Sequence, residues 1–137
     1  MNTQEIQAFF LSYINLLEGS KTIIKGLHWG ASKLAISDKR GAHIYLDELL
    51  NIVSDYQDTI AESIQGIIGV FLTPENVEGK RNQKVFETPL IFMNYLLKIV
   101  SAFYNNIPTD VEYQGIKSET ETLIKDINKY TFLFTLC

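Results

Sequence analysis

Cysteine is almost absent from these 137 residues. The one thiol, Cys137, stands at the last position and has no partner for a disulfide, so a reducing, cytoplasmic setting is expected. No apolar run approaches the ~20 residues of a membrane span, and no membrane partner is expected. The opening Met1-Asn2-Thr3-Gln4-Glu5 lacks the basic stretch that precedes the apolar core of a signal peptide. A surplus of positive charge is missing too. Twelve Lys and Arg face sixteen Asp and Glu, for a net charge of −4. That balance argues against nucleic acid as the main partner, because phosphate binding draws on a basic surface and counterion release. The short basic clusters Lys39-Arg40 and Lys80-Arg81-Lys84 read as solvated loop charges. No strand-like alternation and no internal repeat is evident.

What is there is the composition of a globular protein, 46% hydrophobic and 20% charged, at a length that suits one domain, residues 1–137, with one core. Four segments repeat apolar residues every three or four positions, which predicts helices. The first spans about Thr3 to His28 through Ile6, Phe10, Tyr13, Leu17, Ile24 and Leu27, and Asn2 with Glu5 resembles its capping box. The second spans about Ala42 to Ile68, with Ile44, Leu46, Leu49, Leu50, Val53, Ile60, Ile64 and Ile67 as its apolar set. The third opens at Thr88-Pro89, a capping Thr before a first-turn Pro, and runs through Ile91, Tyr95, Leu96, Ile99 and Phe103 to Asn106, where Pro108 stops it. The fourth starts at Thr109 with Glu112, or at Ser118 with Glu121, and continues through Leu123, Ile127, Tyr130, Phe134 and Leu136. Short loops imply antiparallel neighbours. The link from Gly69 to Thr88 could extend ~65 Å, against ~30 Å for a 20-residue helix, and so could cross the whole bundle. The expected fold is all-α: a ferritin-like four-helix bundle with one long crossover between the second and third helices.

His43, Asp47, Asp58 and Glu62 lie at about 0°, 40°, 60° and 100° around the second helix, on one face. Singly, each reads as solvated surface. Together they carry a pattern. Asp47 and Asp58 are ~16 Å apart along the axis and cannot share a metal ion within one chain. Yet the pairs 43 with 62 and 47 with 58 have one midpoint, between Ile52 and Val53. A second copy packed antiparallel about a two-fold axis there would face His43 with the other copy's Glu62, and Asp47 with its Asp58. Leu50, Asn51 and Ser54 would form the seam. His28 closes the first helix where His43 opens the second, so both histidines fall at one end of a hairpin. Imidazole with carboxylate suits iron or zinc, and the lack of thiolates disfavours a structural zinc site.

His28-Trp29, His43 with Asp47, and Asp58-Thr59-Ile60-Ala61-Glu62 resemble the motifs of the Dps family of the ferritin-like superfamily: an HW pair, an H-x-x-x-D and a D-x-I-A-E. The likeness is most specific between residues 24 and 66, and Asp126-Ile127-Asn128-Lys129-Tyr130 resembles the closing Dps helix. The resemblance implies a ferroxidase site between two subunits, with catalytic and metal-binding roles for His28, His43 and Asp47 of one chain and Asp58 and Glu62 of the other. It implies iron as the metal, with zinc or manganese as substitutes, and a hollow dodecamer that oxidises Fe(II) with hydrogen peroxide and stores the ferric mineral. Trp29 would pack near the site or serve as a plain core tryptophan. The segment between His28 and His43 is longer than the usual Dps spacing, and Gly30 replaces the common Asn. A lysine-rich tail is missing, so DNA binding is not expected. Asp110, Glu112, Glu119 and Glu121 would line an iron entry pore, or else be carboxylates favoured by the dipole at a helix start. The competing function is a ferritin-like structural or assembly component of a larger particle, such as a virion, with a vestigial metal site. A carboxylate-bridged enzyme acting on an organic substrate would need paired E-x-x-H units that this chain lacks.

Overall fold

In the computed structural model, which describes residues 1–72 and 86–137, the described chain is helical with no strands. The helices are α1 (Thr3–Trp29), α2 (Lys39–Ile68), α3 (Pro89–Asn106) and α4 (Gln114–Thr135). Asn2 caps α1, its side chain accepting the Glu5 N–H at 2.9 Å, and Thr88 caps α3 with Pro89 in the first turn, both as the sequence predicts. Two starts differ. α2 begins at Lys39, because Asp38 accepts the Gly41 N–H at 2.9 Å; a Cβ at Gly41 would run into that carboxylate. Lys39 and Arg40 are therefore the first turn of a helix rather than loop, and the Lys39 ammonium is drawn back to the Ser32 carbonyl at 2.8 Å. α4 begins after a 3-10 turn at Val111–Tyr113, and neither Thr109 nor Ser118 caps it. α2 ends at Gly69, whose φ of 69° suits glycine in the left-handed region.

α1 and α2 are antiparallel. Tyr13 meets Tyr56 midway, and His28 meets His43 at the end. α4 runs antiparallel to α2, with Tyr56 bonded to Thr120 and Glu48 to Tyr130. The start of α3, at Thr88, Pro89 and Leu90, shares a cleft with Ile36, Ser37 and Phe134, so α2 and α3 begin at the same end. The middle of the link joining them, with Pro74, Gly79, Lys80, Arg81 and Lys84, lies outside the described residues.

The core gathers one face of each helix: Phe10, Leu17, Ile24, Leu46, Leu49, Val53, Ile60, Ile64, Leu96, Val100, Leu123 and Ile127 are buried. Three residues assigned to apolar faces are instead exposed: Ile44 (45%), Ile91 (48%) and Leu136 (64%). Ile44 lies ~200° from Leu46 around the helix, and Leu136 follows the last turn of α4. A buried polar chain crosses the core, from Tyr13 to the Tyr56 hydroxyl at 2.8 Å, on to Thr120 at 2.8 Å, and then to the Ile116 carbonyl. Beside it Gln57 donates to the Ile14 carbonyl and to Glu18, which also takes the Lys21 ammonium. Burial opposes ionisation of Glu18, but the Gln57 amide and the Lys21 ammonium hold its carboxyl below the usual range. Burial pushes Tyr56 up to about 12 and raises Tyr13 as well.

Tyr56→Phe takes the partner from the buried Tyr13 hydroxyl, leaves Thr120 only its Ile116 carbonyl, and should cost about 1–3 kcal/mol in denaturant unfolding; an unchanged midpoint would show that the chain of hydroxyls is not formed. The raised tyrosines fix the sign of an alkaline transition. The phenol is un-ionised in the folded state, so this contribution is intact below the ordinary tyrosine value of 10.0 and is lost as pH rises toward about 12. Thermal midpoints between pH 8 and 11 should fall with rising pH, and less steeply in Tyr56→Phe.

Candidate metal centre

The site begins at the end of α1. Leu27 is buried there, His28 is half-buried and Trp29 is exposed. The Gly30 N–H closes the helix on the Gly26 carbonyl. A 3-10 turn at Ala31–Lys33 follows, with Ala31 buried and Leu34 and Ile36 packed against the core. That turn lets the longer connection return the chain so that His43 lies beside His28.

The two imidazoles stack, with ring centroids 3.9 Å apart and planes inclined by 28°. They also exchange hydrogen bonds. His28 Nδ1 lies 3.1 Å from the His43 carbonyl oxygen, and His43 Nδ1 lies 3.2 Å from the His28 carbonyl oxygen. A carbonyl oxygen only accepts, so each Nδ1 donates. In the neutral ring the proton is thereby fixed at Nδ1 and the lone pair at Nε2. A carbonyl bond of this kind is what commonly orients a metal-binding histidine. Nothing in the sequence announces the exchange, since it depends on backbone atoms fifteen residues apart.

His43, Asp47, Asp58 and Glu62 are all exposed on one side of α2, opposite the buried Ala42, Leu46, Leu49, Val53, Gln57, Ile60 and Ile64. Between them Asn51 is exposed while Leu50 and Ser54 are half-buried. The structure thus brings His28 to His43, with Asp47 one turn on, and leaves Asp58 and Glu62 near the other end of the same stripe. Among the described residues, no three His, Cys, Asp or Glu side chains gather closely enough to hold a metal ion.

Other carboxylates are spoken for or scattered. Glu48 accepts the Tyr130 hydroxyl at 2.7 Å. Glu121 accepts that of Tyr104 at 2.6 Å. Asp55, Glu119 and Asp126 border a cleft of about 230 Å³ between α2 and α4. Because α4 starts at Gln114, Glu119 and Glu121 lie beyond its first turn, and the helix-start explanation holds for Asp110 and Glu112 alone. Trp29 departs from the expectation of a core tryptophan: at 78% exposed it lies on the surface of the single chain, next in sequence to His28. It lies two residues past the buried Leu27, on the opposite side of the helix.

Trp29 is the one tryptophan and should report on this end of the bundle. Dilute monomer should emit as hydrated indole and quench fully with acrylamide. Blue-shifted, protected emission from a species that sediments as monomer would contradict this placement. No family model matches the chain, and no curated protein or solved structure does, so the site is read from its own residues.

Proposed function

We propose that the chain is a Dps-like mini-ferritin that binds Fe(II) between two copies of itself, oxidises it with hydrogen peroxide and stores the ferric product. The observation that carries this reading is the reciprocal bonding of His28 and His43, which directs both protons inward to carbonyls and leaves two Nε2 lone pairs for a metal. Support comes also from the common starting end of α2 and α3, which is the helix order of the one-crossover ferritin-like arrangement. The exposed Trp29 and Ile44 beside the histidines are apolar surface that a second copy would cover.

In this reading two α2 helices pack antiparallel about the point between Ile52 and Val53. His28, His43 and Asp47 of one chain meet Asp58 and Glu62 of the other, twice per pair. Iron is the substrate, and zinc or manganese suits the same donors. Two ferrous ions give one electron each; the O–O bond of peroxide breaks, and with two protons both oxygens leave as water, so no hydroxyl radical is released. The chain's part is to hold the ions together and supply negative charge as they become ferric. Pairs of this kind would close into a dodecameric shell.

Anaerobic protein titrated with Fe(II) and then given peroxide should show fast, stoichiometric ferric absorbance, lost in His43→Ala and in Glu62→Ala. Mixing those two inactive variants under subunit exchange should restore about a quarter of the sites, because half of the random pairs are mixed and each mixed pair keeps one intact site of two. Activity that is not restored would place the site within one chain. No oxidation above buffer background in the parent protein would favour a structural role in a larger particle.

A further inference from the structure

A main-chain oxygen of Cys137 accepts two backbone N–H groups at once, from Ser37 at 2.7 Å and Asp38 at 2.8 Å. Among the described residues these are the backbone hydrogen bonds that join the loop before α2 to α3 or α4. The loop has little else to hold its last residues, since Ser37 and Asp38 are themselves exposed. The anchor behind that oxygen is firm. The Cys137 N–H bonds to the Phe134 carbonyl at 3.2 Å, the thiol lies 3.6 Å from the Leu133 carbonyl, and Phe134 is buried in the core. Asp38 in turn caps α2, its side chain taking the Gly41 N–H and its carbonyl the Ala42 N–H at 3.1 Å. The next residue is His43. A continuous run of hydrogen bonds therefore leads from the end of α4 to the residue before the imidazole whose carbonyl and ring face His28.

We infer that the end of α4 is a latch that positions the histidine pair, with the main-chain oxygen of Cys137 fixing the start of α2 so that His28 and His43 can exchange their Nδ1 bonds. The ring exchange needs both arms of the hairpin in place, and α2 is set at this end by its cap and by that oxygen. The metal-binding consequence rests on the function proposed above; the positioning itself does not.

A variant ending at Thr135 removes that oxygen together with the largely exposed Leu136 and the half-buried Cys137. Ser37→Pro removes one donor and leaves Asp38 in place. Asn2→Ala, which strips the cap at the opposite end of the bundle, is the control for a similar loss in Tm. In metal-free protein at neutral pH, long-range ¹H–¹⁵N spectra of the parent and of Asn2→Ala should show both imidazoles protonated at Nδ1. The shortened chain and Ser37→Pro should shift at least one ring toward the Nε2–H form, and zinc affinity should fall about tenfold. Unchanged imidazole spectra in the shortened chain overturn the latch. If the parent binds no zinc, the metal reading fails while the spectra still decide the latch.

Discussion

The register of α1 on α2 is the constraint from which the rest follows. Apolar side chains such as Leu17, Ile24, Leu46 and Leu49 would tolerate a slip of one turn, because burial is non-directional. The polar groups between these helices would not. Tyr13 must reach Tyr56, and the Gln57 amide must reach both the Ile14 carbonyl and Glu18; a slip leaves each donor or acceptor buried without a partner, at about 1–3 kcal/mol apiece. Thr120 extends the same network to α4, so one set of hydroxyls indexes three helices. With the middle of the hairpin fixed, its open end is fixed as well, and His28 arrives opposite His43 rather than a turn above or below it.

Stacked aromatics extend this indexing to α3. The Tyr13 ring lies flat on Phe103 at 3.6 Å, and Phe103 also contacts Phe9 and Phe10. Tyr13 therefore bonds to α2 through its hydroxyl while packing on α3 through its face, which explains why a residue with so costly a polar group is buried at the centre of the bundle. α3 also packs along α4, where the polar contacts lie nearer the surface: the Tyr104 hydroxyl on Glu121 and the Lys117 ammonium over the Tyr104 ring.

Much of this was legible from one-dimensional pattern, and the failures have identifiable causes. Thr88-Pro89 and Asn2 mark helix starts because capping is local chemistry. Asp38 was hidden because the Lys39-Arg40 pair after it looks like loop, cations being poorly placed at a helix N-terminus. Ile44 and Ile91 show the limit of residue type as a guide: each is apolar and stands close in sequence to core residues, yet falls on the solvent side of its helix. Thr120 and Gln57 are buried although their residue types suggest surface, since their partners lie 64 and 43 positions away in the chain. At the candidate site, the shared face of α2 and the meeting of the two histidines could be read from helix geometry. The exposure of Trp29 and the carbonyl exchange could not, because each depends on how the loop after α1 returns.

The charge on α2 sharpens the meaning of that face. From Gly41 to Ile68 the helix carries Asp47, Glu48, Asp55, Asp58 and Glu62 and no Lys or Arg. Tyr130 occupies Glu48, and Asp55 looks into the cleft beside α4. Asp58 and Glu62 are four residues apart, a like-charge spacing that costs a helix a few tenths of a kcal/mol, where a lysine at the second position would have gained as much. Asp47 adds to the same side. An acidic stripe with no Lys or Arg beyond the first turn of its helix, and ending beside two imidazoles, is a surface whose repulsion a cation relieves. The helical rise separates the donors too widely for one chain to gather them, which is why the proposed function needs a second copy of α2 to carry the far carboxylates to the near histidines.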